Sequence, residues 1–240
     1  MRKYLLIYIA VIEIIFINSS FSMLDLIDIP TTEVNERYEM ELNFRLYSNG
    51  GVVSRINFGV FQRLTIGCSL DIYSLIGTDT PIVRQPSLYL KLRIFDGTKK
   101  LPSIALGFDG QGYRYDDKTG SYQHKERGLF IVFNTEILTK HLELNSGVNA
   151  NSSKEENKNV TNFYGFIGLS YPIQKNERKI LCFMAELDNL FSDYLKNRYN
   201  IGVKIFPTEN FNIDLVLKDI FSPNNLTIER LIKVAYQTQF

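Results

Sequence analysis

The segment Ile228–Phe240, IERLIKVAYQTQF, alternates apolar and polar residues up to its last position. Successive side chains of an extended strand point to opposite faces. Thr238, Tyr236, Val234, Ile232 and Ile228 therefore share one face, interrupted only by Arg230, while Gln239, Gln237, Ala235, Lys233 and Glu229 share the other. The same period of two recurs upstream, most clearly in RYEMELNFRLY (Arg37–Tyr47). There Tyr38, Met40, Leu42, Phe44 and Leu46 oppose Glu39, Glu41, Asn43, Arg45 and Tyr47. After Pro30 the chain reads as twelve such segments, each about the 9 to 11 residues that a tilted strand needs to cross a bilayer. No segment is a convincing helix; the best candidate, NLFSDYLKN (Asn189–Asn197), is short and lies between two strands.

Alternation alone fits a soluble barrel with an oily interior as well as a membrane barrel with an oily exterior. Connection lengths favour the second. A tight SNGG turn follows the first strand, with Asn49-Gly50 suited to the positive dihedrals of a hairpin, and short and long links alternate thereafter. Outer-membrane barrels have short periplasmic turns and longer external loops, so an even strand count with both termini in the periplasm accounts for the alternation. The polar face carries Glu39, Glu41, Arg45, Arg55, Asp71, Lys91, Arg93, Asp109, Glu186, Asp188, Lys204, Asp214, Lys218 and Lys233. Twelve apolar stripes turned inward would fill so wide a barrel poorly. The sequence thus predicts a single antiparallel up-and-down transmembrane β-barrel with apolar stripes in lipid and these charges lining a wet lumen.

The N-terminus agrees with export. MRKYLLIYIAVIEIIFINSSFSM has a basic start, an apolar run from Tyr4 to Ile17 and small residues at Ser20 and Ser22. It reads as an export signal peptide over residues 1–22, followed by an outer-membrane barrel over 23–240; Glu13 within the apolar run leaves an uncleaved anchoring segment as the alternative. Setting aside Arg2, Lys3 and Glu13, acids and bases balance in the remainder, and nothing points to nucleic acid. Cys68 and Cys182, the two cysteines, make no disulfide framework. Tyr236 and Phe240, on a strand that ends in an aromatic residue, match the C-terminal signal by which the barrel-assembly machinery recognises its clients.

No catalytic or metal constellation stands out. Ser48 in YSNGG has no histidine near it in sequence and reads as a turn residue; His124 and His141 fall on opposite sides of the expected topology. Asp116 and Asp117 lack the glycine and distal glutamate of a calcium loop. No cofactor is expected, and the protein reads as non-enzymatic. The lumen charges support two readings. Arg45, Arg55, Lys91 and Arg93 could face Glu39, Glu41, Asp71 and Asp109 across water and set a transverse field for small polar solutes, as in a narrow porin-like channel. Alternatively, the charges pair into a ladder that closes the barrel, leaving an envelope scaffold. A secreted soluble β protein is the third possibility.

The stretches Ile29–Gly77, PSLYLKLRIF (Pro86–Phe95) and LPSIALGFDGQGY (Leu101–Tyr113) resemble the YjbH-like bacterial outer-membrane barrels associated with exopolysaccharide. The resemblance covers roughly Ile29 to Phe133 and the closing strand. It implies a surface location, outer-membrane lipid as the surroundings and a part in making or exporting polysaccharide. This chain differs in being a single short barrel without a lipidation cysteine, and no functional residue is carried over.

Overall fold

The computed structural model describes residues 22–116, 121–124, 126–138, 141–155, 158–176, 178–192, 197–221 and 228–240. The expected signal peptide lies, but for Ser22, outside the described residues. The strands are β1 (Glu39–Tyr47), β2 (Gly51–Phe61), β3 (Leu64–Tyr73), β4 (Ile82–Val83), β5 (Ser87–Phe95), β6 (Ser103–Asp109), β7 (Tyr113–Asp116), β8 (Ser121–His124), β9 (Gly128–Glu136), β10 (Glu143–Glu155), β11 (Lys158–Lys175), β12 (Arg178–Leu190), β13 (Arg198–Thr208), β14 (Phe211–Lys218) and β15 (Glu229–Gln239). Twelve of them form one antiparallel ring, in which β3 pairs with β5, β6 with β9, and the rest with their neighbours in sequence. The ring closes where β1 meets β15, from Glu39↔Gln239 to Leu46↔Ile232. Short β4 extends the β3 edge beyond β5, and β7 and β8 form a separate hairpin. A closed ring leaves no sheet edge unpaired, which is what allows strands to sit in hydrocarbon.

At the first hairpin the chain turns through Ser48–Gly50, with positive φ of 63° at Asn49 and 67° at Gly50. The orientation of the stripes is unambiguous: Phe44, Ile66 and Leu90 are 42%, 40% and 43% exposed, whereas Lys91 and Lys218 are fully buried. The apolar stripes face outward and the ionic stripes inward.

The interior differs from a wet lumen. Residues 22–36 enter the barrel from the rim that holds the start of β1 and the end of β15, and return to it. They form a narrow hairpin, with Leu26 N–H bonded to Ile29 O and Thr31 N–H to Leu24 O, both at 3.0 Å, and an Asp25↔Pro30 bridge. Pro30 can sit in this ladder because its pair with Asp25 is a non-hydrogen-bonded one, flanked by the bonds of residues 24, 26, 29 and 31, so its missing N–H is not called on. Ser22 N–H donates to Gln237 Oε1 at 3.0 Å, which brings the start of the hairpin back to the closing seam. Leu26, Ile27 and Ile29 are fully buried. They pack in one cluster with inward residues including Phe130, Val132, Phe166, Met184, Val216 and Leu231. The polar inner face therefore carries an apolar patch, which strand alternation had not suggested, because a residue between two lumen charges reads as part of the polar stripe whatever its own character.

Two inward glycines make room for the hairpin. A Cβ at Gly168 would lie 2.3 Å from Ile29 Cδ1 and 2.7 Å from Leu26 Cδ1, and one at Gly59 would lie 1.7 Å from the Glu36 carbonyl oxygen. The obstacle at Gly59 is backbone, which cannot swing aside. Overpacking of this kind costs about 1–3 kcal/mol. Gly59→Ala is expected to lower the temperature at which the barrel loses its compact, heat-modifiable gel migration; an unchanged midpoint would mean that residues 35–36 do not run past β2 in this way.

Candidate functional site

The site is the lumen where the hairpin tip meets the barrel wall. Hairpin turns leave backbone groups without ladder partners, and in a closed interior each needs one. Glu186 on β12 supplies three: its Oε1 accepts the N–H groups of Ile27, Asp28 and Ile29 at 2.6, 2.9 and 3.0 Å. The wall serves the tip carbonyls as well. Arg45 donates to Ile27 O at 3.0 Å, Lys233 to Leu26 O and Ile27 O at 3.2 and 3.1 Å, and Arg127 Nε to Asp28 O at 2.8 Å.

The two hairpin acids are held by charge. Asp28 pairs with Arg45 at 3.0 Å and with Lys218. Asp25 pairs with Arg55 at 3.1 Å, and Arg55 also holds Asp109 at 2.7 Å. Lower down, Lys91 donates to Leu24 O and to Glu33 O, the latter at 3.0 Å, and Arg93 Nε donates to Thr32 O at 3.0 Å. Arg127 grips Asp188 with two bonds of 2.7 and 3.3 Å. Arginine forks suit such paired contacts, and their planar faces lie over rings here: Arg45 over Tyr113 at 4.9 Å and Arg55 over Tyr89 at 4.7 Å.

The remaining wall charges have more local partners. Lys204 pairs with Asp214 at 3.3 Å, and Lys233 also approaches Asp214 at 3.7 Å. Asp71 accepts from Tyr47 Oη at 2.7 Å, Glu41 from Asn43 Nδ2 at 3.2 Å, and Glu39 from Glu36 N and Gln237 Nε2 at 2.7 and 2.8 Å. The basic and acidic groups thus do not face one another across open water, as a transverse field would need. The inserted hairpin stands between them and takes up most of the cations. Tyr236 and Phe240 lie on the exterior; Phe240 N–H donates to Tyr38 O at 3.0 Å and its ring meets that of Tyr38 edge-on at 6.2 Å.

The opposite mouth is closed by a second hairpin, set in the link between β6 and β9. Strands β7 and β8 turn inward, burying Tyr113 and His124. The Tyr113 hydroxyl reaches the Asp28 carboxylate at 3.3 Å, so the two hairpins meet. His124 stacks on Tyr113 at 4.4 Å; its Nδ1 faces Arg198 at 2.8 Å and Lys218 at 3.1 Å, and its Nε2 faces Glu229 at 2.6 Å. Two cations at Nδ1 require it to accept, which places the proton on Nε2 and leaves the ring neutral. Burial and the Lys218 ammonium push the imidazole down to about 3 from its ordinary 6.5, against the upward pull of Glu229. Ser48 Oγ donates to the other oxygen of Glu229 at 2.8 Å. A histidine does come near Ser48 in space, contrary to its isolation in sequence, but the serine proton goes to a carboxylate and not to the ring, so no nucleophile–base pair forms. Between the hairpins there remains a chamber of about 60 Å³ lined by Asp25, Asp28, Arg45, Arg55, Arg127 and Asp188 among others. This is well below the roughly 300 Å³ at which small-molecule sites begin.

No family model matches this chain, and no curated protein matches it. Among solved structures it is similar to the NanC porin, at 8% identity and a TM-score of 0.48, covering 84% of this chain and 99% of that one. It is also similar to the N-terminal β-barrel domain of Pseudomonas aeruginosa OprF, at 10% identity and a TM-score of 0.23, with 85% and 100% covered. A Rh. blastica porin mutant matches at 9% identity and a TM-score of 0.25, with 83% and 98% covered.

Two expectations follow from the geometry. Glu186→Ala orphans three buried amides at once; at about 1–3 kcal/mol each this comes to at least about 3 kcal/mol, or roughly 100-fold more of the undocked hairpin. Thermolysin cleavage before Leu26 or Ile27 is expected to accelerate to match, and wild-type rates in the variant would exclude the Glu186 cradle. The mouth hairpin should respond to acid. Only the undocked form takes up a proton on His124 as the pH falls below about 6.5, so docking is most stable above that value and weakens toward about pH 3. Between pH 7.5 and 5 the amides of Tyr113–Tyr115 should exchange roughly 30-fold faster after correction for intrinsic rates. His124→Phe should remove the dependence, and a pH-independent wild type would contradict it.

Proposed function

We propose that this chain is a bacterial outer-membrane barrel that rests shut and becomes a narrow passage for small polar solutes when the hairpin Ser22–Glu36 leaves the lumen. The outward apolar stripes support the membrane placement, since exposed Leu, Ile, Val and Phe around a whole barrel need a hydrocarbon surround. In this reading the rim that holds Ser22, Glu39 and Gln239 faces the periplasm, and the β7–β8 hairpin faces outward. The observation that carries the proposal is that most of the wall cations bond to the hairpin. Arg45, Lys91 and Lys233 bond to its backbone and side chains, so its departure would leave a charged, hydrated channel and not a collapsed core.

The second reading is a permanently closed envelope scaffold, to which the association with exopolysaccharide production or export would belong. The complete burial of Leu26, Ile27 and Ile29 favours it, because withdrawing them exposes apolar surface at about 25 cal/mol per Å². Single-channel recording in planar bilayers separates the two. The wild-type chain is expected to be silent, and a Leu26→Asp/Ile27→Asp/Ile29→Asp variant, with heat-modifiable migration showing an intact barrel, is expected to give stepwise currents. An intact but silent variant would leave the scaffold, and steady conduction by the wild type would refute the resting plug.

A further inference from the structure

Arg230 is the one break in the outward apolar stripe of β15, and neither the barrel wall nor the hairpin uses it. It lies one residue inside the mouth end of the strand, paired with Leu217 across the ladder. It is exposed, and no side-chain hydrogen bond or ion pair to it is found among the described residues. Two surface depressions meet at this residue. Below it on the exterior runs a groove of about 550 Å³ lined by the outward side chains of Phe183, Ile201, Val203, Leu215, Leu217 and Ile232. Above it, at the mouth, opens a cleft lined by Ser48, Arg114, Gln123, Arg198 and Glu229. In that cleft Arg114 leans on Glu229 at 3.8 Å and Arg198 on Asp219 at 3.9 Å, which leaves Arg230 as the cation without an acid at its side.

We infer that Arg230 and the groove beneath it form a site for a phosphorylated lipid of the outer leaflet, with the phosphate on the guanidinium and an acyl chain in the groove. The inference rests on the membrane placement proposed above. A guanidinium offers paired donors that match phosphate oxygens, and near the interface it sits on a lipid face at a cost of about 0–1 kcal/mol, against about 2–4 kcal/mol at mid-bilayer. A free phosphate would have no use for the groove, and an uncharged lipid none for the arginine. The neighbouring cleft, with the Ser48 hydroxyl and the Gln123 amide, gives the rest of a polar headgroup somewhere to lie.

The test is native mass spectrometry of the full chain folded in detergent, titrated with phosphatidic acid and with diacylglycerol of the same acyl chains, which lacks the phosphate. One phosphatidic acid should be retained in preference, and Arg230→Gln should weaken its retention roughly tenfold, the usual worth of a charge-assisted contact, while leaving diacylglycerol unchanged. Leu217→Trp, which fills the groove and keeps the charge, should weaken both lipids. Equal retention of the two lipids by the wild type, or an Arg230→Gln variant that keeps the preference, would overturn the site while the barrel reading stands. A chain that never acquires heat-modifiable migration in detergent or vesicles would overturn both.

Discussion

Arg45 on β1 and Lys233 on β15 stand directly opposite each other across the seam that closes the barrel. Both point inward, where water is scarce. Like charges opposed on neighbouring strands are destabilising, and a buried ion without a partner costs several kcal/mol. The seam is tolerable because acceptors are brought to it: the Asp28 carboxylate and the Leu26 and Ile27 carbonyls of the inserted hairpin, with the Asp214 carboxylate contributing from β14. With the hairpin inside, both cations have protein acceptors, and with it withdrawn they must be hydrated instead, so the plug stabilises the closure and does not merely occupy a vacant pore.

The same dependence runs in the other direction. A hairpin tip of Leu26-Ile27-Asp28-Ile29 has exposed amides on one side, carbonyls on the other and apolar side chains between them. Glu186 meets the amides, cations of three strands (Arg45 of β1, Lys218 of β14 and Lys233 of β15) and Arg127 meet the carbonyls and the Asp28 carboxylate, and inward glycines and aromatic residues receive the side chains. Asp28 then serves as the joint between two closures. Tyr113 and Lys218 touch it from the mouth side, and through His124 and Glu229 the chain of polar contacts runs on to Ser48 in the first turn. A change at either hairpin therefore alters the partners of the other.

The wall of the barrel was legible in the sequence, and its contents were not. A period of two encodes which face a residue takes, and RYEMELNFRLY or IERLIKVAYQTQF state it plainly; Asn49-Gly50 likewise declares its turn, with both φ values positive in the structure. Residues 22–36 carry no such code. Their place is fixed by groups far along the chain, as with Glu186, some 157 to 159 residues from the amides it holds. The inward fold of Tyr113–His124 is likewise decided by Lys218 and Glu229. One clue was available in principle. Pairing the first strand with the last puts Arg45 against Lys233, and that conflict asks for an acid from outside the strands, with Asp25, Asp28, Glu33 and Glu36 unassigned just upstream.

The central claim is that the hairpin tip is buried inside the barrel under native conditions. Hydrogen–deuterium exchange of the Leu26, Ile27, Asp28 and Ile29 amides in the folded, membrane-embedded chain addresses it directly. The account predicts that all four are strongly protected relative to an unstructured peptide, with exchange set by departure of the hairpin while strand amides such as Val132 and Leu231 stay closed. Exchange at those four amides as fast as in an unstructured peptide, with the strands still protected, would contradict it.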